Sequence, residues 1–435
     1  MPETKTMKNG LRMISVPFAG TEAVTVLVMV KVGSRYETPE LNGASHFIEH
    51  MMFKGTKKRP TTLHISKELD SVGASYNAFT GKSYTGYYAK VPAEHFSLAV
   101  DLLHDMIFNS VFSPTEMARE RKVIIEEINM YEENPMMHIE DLLEMKLLEG
   151  NSLGWNIAGS RQTMEKMKRE QVLNFRNAYY QPNRFVLAVA GKIPDGAEKM
   201  LADKFSKEAV RLDKKSVILQ GEKISDFVPY KNVGCECCWP KIIVQNKDSE
   251  QVQLAFGFLS PSLKDEEKDL HAEILGTILG GTMSSRLFVA VREKKGLAYY
   301  VRAGQGGYED VGVFTIRAGL NKTKIPMATK VIFNVLASVK KKGVTPAELK
   351  LAKNYIKGKI KLGLEDSSDR AGFYARQELS LDKIESPEVY YKKIDKVTAS
   401  DIKKIANEIL QESKMAVAAI GPFESEKVLR KKIGL

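Results

Sequence analysis

The feature that most limits how this chain can fold is a weak repeat of its own sequence. Thr21-Glu22-Ala23-Val24-Thr25-Val26 returns as Ser249-Glu250-Gln251-Val252-Gln253-Leu254, and Ser113-Pro114-Thr115-Glu116-Met117 returns as Thr345-Pro346-Ala347-Glu348-Leu349. The apolar run that ends at Gly191 returns as Met415-Ala416-Val417-Ala418-Ala419-Ile420-Gly421. The matches keep one order at a nearly constant offset of about 230 residues, which is the signature of a duplicated domain of about 200 residues. A first domain over 1–210, a linker over 211–240 and a second domain over 241–435 are therefore expected. In each copy β-branched runs bounded by glycine alternate with amphipathic helical stretches, which predicts an α+β sandwich with helices covering one face of a sheet.

Within the first copy, Gly43-Ala44-Ser45-His46-Phe47-Ile48-Glu49-His50 contains the pattern H-x-x-E-H. With no Gly or Pro from Ala44 to Lys54, the stretch is expected to be helical, which puts His46, Glu49 and His50 on one face with the histidines a turn apart. Such a pair can grip one zinc, leaving Glu49 free to take a proton from water rather than to ligate. By themselves these residues also fit a helix with merely satisfied histidines. Phe47, Ile48, Met51, Met52 and Phe53 favour the metal, because unpaired imidazoles and a carboxylate are costly to bury among apolar side chains.

A third ligand is sought on the helix opened by Ser113-Pro114-Thr115-Glu116. At 100° per residue Glu120 and Glu127 lie within about 20° of each other, on a face with Met117, Val123, Ile124 and Ile128. Glu126 points elsewhere, a turn past Lys122, where an ordinary ion pair explains it. Glu120 and Glu127 are about 10 Å apart along the axis, so one zinc can hardly take both. Glu127 is taken as the ligand and Glu120 as a neighbour that supports a ligand or handles protons. In the second copy the corresponding positions are Ala352 and Lys359, so one zinc per chain is expected.

Composition narrows the remaining classes. The formal charge of +11 is dispersed in pieces such as Lys57-Lys58-Arg59 and Lys340-Lys341-Lys342, without the basic stripe and interleaved aromatics of a nucleic-acid groove. No apolar run is long enough to span a bilayer, and Met1-Pro2-Glu3-Thr4 does not open a secretory signal. The three cysteines, Cys235, Cys237 and Cys238, make no disulfide framework, which fits a reducing cytoplasm.

The second copy offers Gly280-Gly281-Thr282-Met283-Ser284-Ser285-Arg286-Leu287-Phe288, followed by Arg292 and Tyr299. Read alone, the glycines fit a helix stop and Arg292 a surface cation. Together with the H-x-x-E-H stretch and the distal glutamates, however, the chain resembles the M16 or pitrilysin family of zinc peptidases over nearly its whole length. The likeness is to single-unit members similar to the subunits of mitochondrial processing peptidase. The resemblance implies an α+β fold of two homologous domains, each a mostly antiparallel sheet covered by helices, of the LuxS/MPP-like metallohydrolase type arranged as a clamshell.

It also implies roles: His46, His50 and Glu127 as zinc ligands, Glu49 as general base and Glu120 as the supporting carboxylate. Gly280 and Gly281 would belong to a glycine-rich loop that meets substrate, and Arg292 with Tyr299 would bind the substrate backbone and the oxyanion. Asn77, Ala78 and Phe79 would lie on the edge strand that receives the peptide. By the same resemblance, substrates are unfolded peptides cleaved inside a chamber of four domains from two chains, a homodimer or a pair with an M16 paralogue. The rival is a non-catalytic scaffold subunit, but such subunits lack H-x-x-E-H or the distal glutamate, and here both are present.

Overall fold

The computed structural model describes residues 2–208, 227–231 and 239–435. Most of the expected linker and all three cysteines lie outside the described residues. The chain forms two compact units. The first unit holds a six-stranded sheet built from β1 (Glu3–Thr6), β2 (Arg12–Pro17), β3 (Ala23–Val30), β4 (Ser75–Thr80), β5 (Thr85–Pro92) and β6 (Phe185–Gly191). Its order is β1-β2-β6-β3-β5-β4, antiparallel except for β2 with β6. The second unit holds β7 (Lys241–Asn246), β8 (Gln251–Ser260), β9 (Ala298–Gly307), β10 (Gly312–Asn321) and β11 (Met415–Gly421) in the order β7-β11-β8-β10-β9. Here too only one pair, β7 with β11, is parallel, so strand for strand the second sheet repeats β2-β6-β3-β5-β4.

One face of the first sheet is covered by the helices α1 (Ala44–Met52), α2 (Thr62–Asp70), α3 (Phe96–Asn109) and α4 (Pro114–Glu133), with further helices beyond them. The expectation of a single covered face needs correction. Every residue of β3 from Val24 to Val30 is buried, and its odd and even positions belong to different cores. Leu27 and Met29, with Ile14, Val16, Val186, Ala188 and Ala190, lie against Ala371, Tyr374, Ala375 and Leu379 of the helix Ser367–Leu381. Correspondingly, Ile139, Leu142, Leu143 and Leu147 of the helix Pro135–Leu147 cover Ala255, Ala416, Ala418 and Ile420 in the second unit.

The units are therefore not two contiguous stretches of sequence. Residues 130–154 from the first half belong to the second unit, and residues 361–386 from the second half belong to the first. The two exchanged helices occupy the same place in the repeat. Polar details fix the exchange in the first unit: Thr25, buried in β3, shares a 2.7 Å hydrogen bond with Ser367 Oγ, and Arg12 reaches Glu378 and Asp382 at 3.2 and 3.0 Å. Among the described residues no helix is long and apolar enough to cross a membrane.

Candidate metal centre

Helix α1 starts at a glycine because nothing else fits. Gly43 has φ of 98°, and a Cβ there would stand 2.4 Å from Met164 Cε and 2.6 Å from the Ala158 carbonyl oxygen. Having no side chain, Gly43 cannot cap the helix itself. Glu37 does so from outside, accepting from the amides of Gly43 and Ser45 at 2.7 Å each and from Asn42 Nδ2 at 3.0 Å. Burial pushes the Glu37 carboxyl up to about 7 against the pull of these donors. The apolar side of α1, with Phe47, Ile48, Met51 and Met52 buried, leaves His46, Glu49 and His50 on the remaining face.

On that face three donor atoms converge. His46 Nε2 and His50 Nε2 lie 3.2 Å apart, and Glu127 Oε2 of α4 lies 3.7 and 3.5 Å from them. Ligand atoms around a tetrahedral zinc at about 2.0–2.1 Å stand about 3.3 Å from one another, so the triangle has the size that such an ion requires. Among the described residues this is the one group of three acidic, histidine or cysteine side chains with donors close enough for an ion. The residues fit zinc in chemistry as well, with two imidazoles and one carboxylate.

The electrostatics point the same way. Burial, with His50 alongside, depresses His46 to about 4, while His50 is carried up to about 9, because Glu120 and Glu127 outweigh the effect of its burial. Between those two values the pair carries one positive charge, on His50, beside two carboxylates held below their ordinary range, which is a place that suits a cation. His50 Nδ1 meets Glu120 Oε1 at 2.8 Å, and Lys54 Nζ meets the other oxygen at 2.6 Å. Glu120 thereby fixes which ring nitrogen of His50 faces the triangle. Glu49 accepts from the Thr80 hydroxyl, and burial raises its carboxyl despite that bond.

Glu127 is half-buried on the site face, whereas Glu126 is exposed and has Asn129 rather than Lys122 as its partner. Val123, counted with the apolar face, is 51% exposed. Lys54 and Thr80 belong to no motif in the sequence. Lys54 follows His50 by four residues, just past the end of α1 at Met52, and Thr80 closes the β4 run.

Asn77, Ala78 and Phe79 lie on β4, which ends the sheet order and so leaves one strand edge without a partner in the sheet. Tyr76 and Ala78 contact the core beneath α1, while Phe79 belongs to the opposite face. The hairpin settles which backbone groups look outward. Gly81 N bonds Tyr84 O at 2.8 Å, so by strict alternation Phe79 and Asn77 pair with β5 while the backbone groups of Tyr76, Ala78 and Thr80 face the free edge. One of these outward donors is already occupied: Ala78 N donates to Asn77 Oδ1 at 2.9 Å.

The second unit carries Gly280, Gly281, Arg292 and Tyr299. Gly280 is buried, and a Cβ there would stand 2.1 Å from Ala303 N, so close contact with β9 alone accounts for a glycine. Gly281 is exposed. Two π-helical turns, Thr277–Gly281 and Phe288–Glu293, flank the loop between them, a backbone irregularity that often marks a functional site. Arg292 is exposed, its guanidinium 4.9 Å from the Phe288 ring centre and 5.6 Å from that of Tyr299, which is 74% exposed. Arg286 secures the loop through Glu348 at 2.6 and 2.7 Å.

With this geometry in hand, comparison with known proteins is direct. Residues 12–161 match the family described as Insulinase (Peptidase family M16), and residues 166–356 match the Peptidase M16 inactive domain. An uncharacterized zinc protease of Bacillus subtilis, YmxG, is 34% identical, with 96% of this chain and 97% of the relative covered. An uncharacterized zinc protease of Mycobacterium tuberculosis is 33% identical over 98% of this chain and 95% of its own length. In fold, a protease from Helicobacter pylori superposes with a TM-score of 0.88 at 24% identity, covering 97% of this chain and 99% of that one. A peptidase M16 inactive domain from Pseudomonas fluorescens gives 0.84 at 18% identity, covering 98% and 99%. The chain belongs to peptidase family M16.

Proposed function

We propose that this chain is a zinc-dependent endopeptidase acting on unfolded peptides. The observation that carries the reading is the triangle of His46 Nε2, His50 Nε2 and Glu127 Oε2 beside a buried Glu49. These three residues would hold one zinc per chain. Zinc in such a site lowers the pKa of its water toward 7 and polarises a peptide carbonyl.

The protein's own groups do the rest. Glu49 takes the proton from the attacking water and passes it to the leaving amine. A peptide in extended form adds to the free edge of β4 at Ala78, whose amide leaves Asn77 Oδ1 to pair with it, through main-chain bonds that depend little on sequence, while Asn77 and Phe79 flank it. Tyr299 donates to the developing oxyanion, Arg292 holds a substrate carbonyl, and the loop at Gly280 and Gly281 lines the path. On the family resemblance, two chains enclose the chamber in which this happens, as a homodimer or with a paralogue.

A non-catalytic scaffold would have no use for a complete donor set with a base beside it. The deciding experiment is Glu49→Gln. Peptide cleavage is expected to fall by at least about a hundredfold, the usual reach of general base catalysis, while metal analysis still finds one zinc per chain. Wild-type turnover in that variant removes Glu49 as the base.

A further inference from the structure

Thr80 is the last residue of β4, and two facts about it meet at one place. Its backbone groups belong to the set that faces the free edge, as the Gly81 to Tyr84 bond and the β4 to β5 register require. Its side chain, on the same face as Tyr76 and Ala78, donates its hydroxyl hydrogen to Glu49 Oε2. Glu49 also sits among buried side chains, where a carboxylate without a fixed donor would be free to rotate about its χ angles. A threonine is suited to the task, because two heavy atoms on its Cβ restrict χ1 and aim the hydroxyl.

The geometry points to Thr80 as a positioning residue that couples peptide pairing on β4 to the general base. We infer that its hydroxyl holds one oxygen of Glu49 and leaves the other for water, while its main chain takes the peptide, so that a peptide seated on the edge is in register with the base. This deepens the endopeptidase reading and rests on it. The segment Ser34–Glu37 supports the same alignment, since the amides of Ser34 and Arg35 bond the carbonyls of Gly81 and Lys82 while Glu37 caps α1. Strand end and helix start are thus joined by one buried stretch.

The test compares Thr80→Val, which keeps the shape and removes the hydroxyl, with Thr80→Ser, which keeps the hydroxyl. For the zinc-loaded Thr80→Val protein, kcat is expected to fall at least about tenfold with KM within about twofold, as for an interaction made in the transition state alone. Zinc content should be unchanged, and Thr80→Ser should recover most of the lost kcat. Equal kcat in Thr80→Val and wild type overturns the inference, as does equal loss in the valine and serine variants. If the valine variant does not fold, Thr80→Ala takes its place in the comparison. A crystal structure of the valine or alanine variant gives a readout that needs no turnover: the Glu49 carboxylate should leave its place, and an unmoved carboxylate overturns the coupling. A fully zinc-loaded wild-type chain that cleaves no peptide would sink the endopeptidase reading instead, and the displacement of Glu49 would still decide the role of Thr80.

Discussion

His50 Nδ1 stands 2.8 Å from Glu120 Oε1, and that contact favours the charged form of the imidazole. His50 is lifted from its ordinary 6.5 to about 9, because the bonds to Glu120 and Glu127 outweigh burial. The proton therefore stabilises the metal-free fold in full below pH 6.5, and this contribution is lost as the pH rises through about 9.

A zinc ion held as proposed would have to displace the proton on His50 Nε2. Well below pH 9, uptake should release close to one proton per zinc and apparent affinity should climb by about tenfold per pH unit, both effects fading as the pH approaches about 9. His46, depressed to about 4, adds no further proton in this range. Calorimetry at pH 7.5 in two buffers of different ionisation enthalpy reads the stoichiometry. Equal heats in the two buffers would refute the protonated state of His50.

Glu127 and Glu126 differ by one residue and by everything around them. Glu127→Gln is expected to lower zinc affinity by at least about a hundredfold, since a ligand is lost outright, whereas Glu126→Gln should stay within about twofold. Competition against a chromophoric chelator measures both. The opposite ranking would move the ligand by one position and contradict the orientation of α4.

That contrast also shows what the sequence could reveal. The phase of one unbroken helix separates Glu127 from Glu126 at a distance, because 100° per residue holds over a turn or two whatever lies nearby. The same rule misjudged Val123, whose exposure depends on what covers α4 rather than on the helix. Lys54 and Thr80 are not legible in the sequence, because their roles depend on how α1, α4 and β4 meet, and no local pattern encodes a meeting of three elements. The second cover on the first sheet was written in the apolar runs of β6 and of β3, broken there by Thr25 alone, which lack the alternation of a strand with one wet face. Its source was hidden, since the helix that supplies it comes from the other half of the chain.

Gly280 and Gly281 should separate packing from function. In Gly280→Ala the new methyl meets backbone, with Ala303 N at 2.1 Å and Arg302 C at 2.7 Å, so β9 must shift. Overpacking of that kind costs about 1–3 kcal/mol, which urea or thermal unfolding will register. In Gly281→Ala the nearest neighbours are side-chain atoms of Thr277 at 3.5 Å and beyond, and stability should stay within about 0.5 kcal/mol. Loss of activity in Gly281→Ala at unchanged stability would place that residue against the substrate, and unchanged activity would remove it from the substrate path.

The last prediction concerns which chain supplies Tyr299. The residue is exposed, with the Arg292 guanidinium 5.6 Å from its ring centre, so it is available to a second molecule. If two chains form the peptidase, the metal groups of one copy should be completed by Arg292 and Tyr299 of the other. Glu49→Gln and Tyr299→Phe are each expected to be inactive as pure proteins. After mixing under conditions that exchange subunits, a mixed pair holds one site with both defects and one site with none. With half of the pairs mixed and one of two sites restored in each, about a quarter of wild-type activity should return. Mass spectrometry of differently labelled chains verifies the exchange. No recovery after verified exchange would overturn completion of the site by a second chain.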